Sequence, residues 1–202
     1  MTFTQGNNMI NNEYVSEEKI KDILSYIKGM KHSEMLRLLV ITSLNGLRSI
    51  NFRYLQVKDV YNQDGSVKDS IVLDSSKNKG KYKCRYFINK QFKKELEIYY
   101  SYLQSKYGDK LEENTYLFTS QKLNKPFNRT SICRIFHTIY KKFGINGSSH
   151  LGRHLFISRL INNGINPFVV KELVNHRNIQ TTNRYYIHDQ KQLLNAVESV
   201  RF

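Results

Sequence analysis

The chain has 202 residues, and its 32 Lys and Arg stand against 17 Asp and Glu, a formal net charge of +15. That length suits one domain with a sizeable core, and such an excess of cations favours a polyanionic partner, nucleic acid before membrane. No long uninterrupted apolar run offers a membrane span, and the two distant cysteines, Cys84 and Cys133, give neither a disulfide framework nor a zinc cluster. The opening residues lack a basic-then-apolar leader, so a reducing cytoplasm is the expected setting.

Residues 1–15 are polar and Asn-rich and are expected to form a flexible N-terminal arm. Ser16-Glu17-Glu18 reads as an N-cap with an acidic first turn, followed by Ile20, Ile23, Leu24 and Ile27 at helical spacing. A second helix is predicted from about Ser33 to Asn45, ending at Gly46, and a helical stretch follows to Leu55. Asn62-Gln63-Asp64-Gly65 has turn chemistry. Ser70–Asp74 and Lys83–Ile88 read as two strands joined by the basic, Gly-containing connection 77–82. Phe92, Leu96, Tyr99 and Leu103 mark another helix, and Thr130–Phe143 a further one. A last segment, Gln190–Val200, carries Leu193, Leu194 and Val197. The class is mostly α with a small antiparallel β-sheet.

The stretch from His150 to His188 concentrates His, Arg and Tyr. His150 and Arg153 share a helix face. The helix continues through Phe156, Ile157, Leu160 and Ile161 and is stopped by Asn163-Gly164. Asn166-Pro167 then looks like an N-cap with Pro at the first helical position, and Phe168, Val169, Val170, Leu173 and Val174 supply an apolar face. His176 follows that helix, and Tyr185 lies nine residues further on.

In order, His150-Leu151-Gly152-Arg153, Leu173-Val174-Asn175-His176 and Thr181-Thr182-Asn183-Arg184-Tyr185 resemble the C-terminal signature of the tyrosine recombinase (phage integrase) family. Gly46-Leu47-Arg48 and Leu55-Gln56-Val57-Lys58-Asp59-Val60 match the family's earlier pattern. The resemblance implies a tyrosine recombinase catalytic-domain-like fold over 16–202, without the family's N-terminal core-binding domain. It implies a site-specific DNA recombinase that cleaves and rejoins strands through a 3′-phosphotyrosine, without metal, nucleotide or other cofactor. Arg48 and Arg153 would clamp the phosphate, because a guanidinium fork matches two phosphate oxygens. His150 would act near the nucleophile as proton acceptor or hydrogen-bond donor, and His176 would donate to a phosphate oxygen. Tyr185 would be the nucleophile rather than Tyr186, counted from both His176 and Thr182. Lys79 would protonate the leaving oxygen, with Lys77 the runner-up. Lys77, Lys81, Lys83 and Arg129 are expected DNA contacts. His32, His137, His154 and His188 are read as structural.

The resemblance also implies double-stranded DNA as partner, a homo-oligomer on DNA in a tetrameric synapse, and an accessory DNA-bending protein. The segment beyond Tyr185 would pack on its own protomer or on the next. A topoisomerase or hairpin-forming resolvase of the same chemistry, and a DNA-binding regulator without strand exchange, are the competing readings. Three positions depart from the pattern: Asn51 replaces an acidic residue, Gly152 a larger apolar one, and Asn175 a glycine. Gly152 carries a helical cost of ~1 kcal/mol.

Overall fold

The computed structural model describes residues 15–75, 82–120, 125–185 and 197–200. Helix α1 (Glu17–Lys28) starts where the Ser16 hydroxyl accepts from the Lys19 backbone N–H, and it buries Ile20, Ile23, Leu24 and Ile27. Val15, just before it, is already in the core at 3% exposure. Helix α2 (Ser33–Leu44) is buried almost continuously from Met35 to Ser43, because three helices pack around it: α1, α5 (Lys90–Tyr107) and α7 (Leu151–Asn162). A helix apolar on most sides belongs at the centre of a domain. Outside that centre, Arg37 and Glu95 join α2 to α5 through two hydrogen bonds of 2.7 and 2.5 Å.

Two short helices follow α2, α3 (Ser49–Phe52) and α4 (Val57–Val60). Phe52 is fully buried and meets Phe118 edge-on at 5.9 Å and Phe136 at 6.3 Å. Phe136 belongs to α6 (Arg129–Lys141), which Asn128 caps by accepting from the Ser131 N–H. Burying such a ring stabilises by about 1.5–3 kcal/mol.

The sheet is one antiparallel pair, β1 (Ser70–Leu73) with β2 (Cys84–Phe87), slightly shorter than the predicted strands. Its register sets Val72 opposite Arg85 and Leu73 opposite Cys84. Ile71, Leu73, Cys84 and Tyr86 point into the core, while Arg85 and Phe87 point out. Cys84 is fully buried, and burial pushes its thiol pKa up.

After α7 the chain reverses at Gly164, whose φ of 76° is costly for any residue with a Cβ. Helix α8 (Pro167–Leu173) begins as predicted, with Asn166 accepting from the Phe168 N–H and Pro167 in the first turn. Its apolar face is narrower than the sequence suggests. Val170 and Val174 are buried, but Phe168 is 66% and Val169 50% exposed. A seven-residue helix turns fewer than two full turns on its neighbour, so one stripe is all it buries. Val170 and Val174 join Ile157 and Ile161 of α7 in a small core apart from the main one. A last short helix, α9 (Ile179–Asn183), leads to Tyr185. No helix among the described residues is long and apolar enough to cross a membrane. The connection 76–81, with Lys77, Lys79 and Lys81, lies outside the described residues, as do Tyr186, Leu193 and Leu194.

Candidate active site

Three elements bring the two arginines together across 105 positions. The first is the turn after α2. Gly46 takes φ 86°, and a Cβ there would sit 2.6 Å from the Phe156 ring of α7. The second is the start of α7 itself. A Cβ on Gly152 would lie 2.5 Å from Ser43 Oγ and 2.9 Å from the Leu44 backbone nitrogen, so α7 rests directly on the α2 backbone. The glycine that costs helix propensity is the one that permits this approach. A serine network ties the same place: Ser43 donates to the Ser149 carbonyl at 3.1 Å, and Ser149 donates to Ser49 Oγ at 3.0 Å.

The third element is the end of α8. Arg153 is 5% exposed. Its guanidinium donates to the Gly46 carbonyl and, at 2.5 Å, to the Val174 carbonyl. Arg48 donates to the next carbonyl, that of Asn175, at 2.9 Å, and Tyr82 donates to the same oxygen at 3.0 Å. The last carbonyls of a helix lack intrahelical partners and carry its negative end. Here the C-cap carbonyl of Val174 holds Arg153 and the next one, on Asn175 just past the helix, holds Arg48, and through them the α8 terminus is fastened to α2 and α7.

Asn175 adds a further tie. It sits at φ 52°, the left-handed region that asparagine tolerates. Its side chain accepts from the Arg85 N–H at 3.2 Å and donates to the Arg85 carbonyl at 2.8 Å. The Asn51 amide donates to the Tyr86 hydroxyl at 3.0 Å, while its own carbonyl oxygen is buried without a hydrogen-bond partner.

These ties surround a concavity of about 440 Å³ whose lining includes Arg48, Arg129, Arg177, His150 and His176 and, among the described residues, no carboxylate. Arg129, an expected DNA contact, is therefore at its rim; Lys83 is exposed on another surface, beside Arg85 and Phe87. Arg177 stacks 4.6 Å over the Tyr82 ring, a residue that motif spacing did not single out. His176 Nδ1 is 2.9 Å from Thr182 Oγ1, which orients its ring. Burial, then Arg153 and Arg48, push the His176 pKa down to about 4. Burial and Arg129, Arg153 and Arg48 lower His150 as well. Arg153 falls to about 10 through burial and then Arg48. Crowded cations of this kind await an anion. Among the described residues no group of three or more His, Cys, Asp or Glu is gathered as a metal would need.

Tyr185 does not line the concavity. Its phenol is hydrogen-bonded to Nδ1 of His154, a histidine read from the sequence as structural. The available signal was position: His154 follows Arg153 and lies one turn beyond His150 on the same helix face.

The family model described as "Phage integrase family" matches residues 13–192. Transposase A from transposon Tn554 of Staphylococcus aureus is 29% identical over 155 residues, 75% of this chain and 42% of that protein. Tyrosine recombinase XerA of Pyrococcus horikoshii is 24% identical over 189 residues, 93% of this chain and 61% of that protein. The chain thus spans about half the length of the curated relatives it matches. Among solved structures, the Tn1549 transposon integrase in complex with circular intermediate DNA superposes with a TM-score of 0.67 at 21% identity, over 97% of this chain and 67% of that one. The XerH site-specific recombinase bound to difH substrate gives 0.69 at 20% identity, over 91% and 53%.

Proposed function

The chain belongs to the phage integrase family, and from that membership we propose that it is a site-specific DNA recombinase cleaving and rejoining double-stranded DNA. The observation that carries this reading is the cationic concavity on which Arg48, His150 and His176 converge, with the tyrosine that the family's spacing picks out on the same part of the chain. Tyr185 attacks the scissile phosphorus, the bond to the 5′ oxygen breaks, and a 3′-phosphotyrosine keeps the bond energy for rejoining. Arg48 and Arg153 neutralise the non-bridging oxygens, Arg153 exchanging a carbonyl for phosphate, and His176 donates to one of them. Lys79 protonates the leaving oxygen, with Lys77 the alternative on the same connection. Arg129 and the lysines of the hairpin hold the flanking backbone.

Strand exchange needs more than one copy, and a tetramer on DNA, with an accessory bending protein, is the assembly this reading takes. An apolar groove lined by Met30, Met35, Phe127, Ile135 and Ile139 is compatible with it, since the segment carrying Leu193, Leu194 and Val197, from the same protomer or the next, would fill such a surface. The cytoplasm is the setting. The test is incubation with nicked suicide duplexes: a covalent protein–DNA adduct is expected from the parent chain and none from Tyr185→Phe. An adduct on Tyr186, or an active Tyr185→Phe protein, would overturn the assignment.

A further inference from the structure

The Tyr185 phenol and the His154 imidazole meet directly. Tyr185 Oη is hydrogen-bonded to His154 Nδ1, and the two rings lie 5.4 Å apart at 35°. Both residues are half-buried, and Tyr185 packs on the small core of Ile157, Ile161, Val170 and Val174. The contact therefore has a floor beneath it. His150, one turn earlier on α7, lines the concavity together with Arg48 and Arg129 instead. One helix face thus presents two imidazoles with different neighbours, one at the anion and one at the nucleophile.

We propose that His154 orients the Tyr185 hydroxyl and accepts its proton as the tyrosine attacks phosphorus. The inference rests on the recombinase reading. In this step the phenol O–H bond breaks and its proton passes to Nδ1 of neutral His154. The Tyr185 oxygen bonds to phosphorus, and the phosphorus–5′-oxygen bond breaks with its electron pair on the leaving oxygen, which the Lys79 ammonium protonates. Rejoining runs the transfers backwards. His150 is left to serve the phosphate oxygens.

The surroundings suit a neutral acceptor. Burial, then His150 and Arg153, hold the His154 pKa below the ordinary histidine range, so its ring is unprotonated near neutral pH. Burial raises the Tyr185 phenol, against the pull of Arg153 and Arg184, so it needs a partner to lose its proton. The charged and titratable groups facing this pair are His150 and Arg153 on α7, His176 after α8 and Arg184 beside the tyrosine. Among the described residues none of these is an acid, and the incoming phosphate supplies the charge that makes an imidazolium tolerable there.

Two measurements test this on the full chain. In the free protein, nitrogen NMR of the histidine rings should find His154 with its proton on Nε2 and Nδ1 accepting, and Tyr185→Phe should shift that Nδ1 resonance. An unmoved resonance overturns the contact. Then single-turnover adduct formation is followed across pH on nicked duplexes selected from a random-sequence pool by binding to the parent, for the parent, His154→Phe and His154→Asn. His154→Phe should bind the pool as the parent does yet form adduct about a hundredfold more slowly near neutral pH. The deficit should narrow as pH rises past ~10, the ordinary phenol value above which burial has moved Tyr185. His154→Asn, which can accept the hydrogen bond but not the proton, should fall between. A His154→Phe protein with the parent's rate, or a deficit equal at every pH, overturns the proton transfer. A parent that forms no adduct overturns the recombinase reading and the transfer with it, while the NMR result still decides the contact.

Discussion

The two arginines and the tyrosine of this site are held by very different amounts of protein. Arg48 and the start of α7 stand on the main core, where α2 is enclosed by three helices and backbone meets backbone at Gly152. His176 and Tyr185 stand on α8 and α9, whose apolar support is the four-residue core of Ile157, Ile161, Val170 and Val174. What fastens the second region to the first is largely polar: Arg48 and Arg153 on the carbonyls of Val174 and Asn175, and Asn175 on Arg85. The arginines proposed to bind the phosphate therefore stand on the larger core, while Tyr185, the proposed nucleophile, is carried on a lightly packed arm. Regions with few buried apolar contacts open at lower free energy than the whole. Under the recombinase reading, this division would let the tyrosine shift while α2 and α7 keep their packing, once Arg48 and Arg153 exchange the Asn175 and Val174 carbonyls for phosphate.

The largest effect is expected at Arg153, which joins the two regions. Arg153→Ala removes the donors to the Gly46 and Val174 carbonyls, and each unmet buried group costs about 1–3 kcal/mol. A denaturant titration should show that loss, and adduct formation should vanish with it. Gly152→Val strikes the same junction from the other side. Its side chain must displace Ser43 and Leu44, an overpacking of about 1–3 kcal/mol. A melting temperature equal to the parent's would mean α7 does not rest on α2 as described.

The arm should respond separately. Val170→Ala thins the small core, so hydrogen exchange in α8 and α9 should quicken while amides of α2 keep their protection. Equal acceleration in α2 would show that the two regions open as one.

A smaller effect is expected from pH. The His176 pKa, near 4 when folded against about 6.5 unfolded, is depressed, and His150 and His154 are lowered in the same sense. The unfolded chain therefore binds more protons in that window. Stability is fully present above pH ~6.5 and is lost as pH falls toward 4. Bound duplex should lessen the loss, because phosphate favours the protonated rings. Thermal melts across that range, with and without DNA, check both statements, and a loss unchanged by DNA would separate these histidines from the anion site.

What the sequence made legible here is local. Ser16, Asn128 and Asn166 cap their helices because capping needs one side chain and the next turn. The motif residues Arg48, His150 and His176 could be named because spacing is preserved along the chain, and they meet at one concavity. The anchoring of the arginines was not legible, since they grip backbone carbonyls, which every residue has. Gly152 could be read as a helix penalty but not as a contact, because Ser43 and Leu44 are over a hundred positions away. Phe168 and Val169 count as apolar in any periodicity, yet how many of them a short helix covers depends on its neighbour. The connection with Lys77, Lys79 and Lys81 lies outside the described residues, so the choice among those lysines still rests on the family's register.

The paired contacts of Asn175 have one more consequence, for how copies of this chain can associate. In a two-stranded sheet β2 has β1 on one side and an edge on the other, and an edge with unpaired N–H and C=O groups invites a strand from another molecule. At Arg85 the Asn175 amide occupies both groups as a neighbouring strand would, and the Phe87 carbonyl accepts from Asn45 at 3.0 Å. Two asparagine side chains thus occupy these three groups of the edge from within the same molecule. At Arg85 and at the Phe87 carbonyl, β2 has nothing left to offer a strand from another molecule.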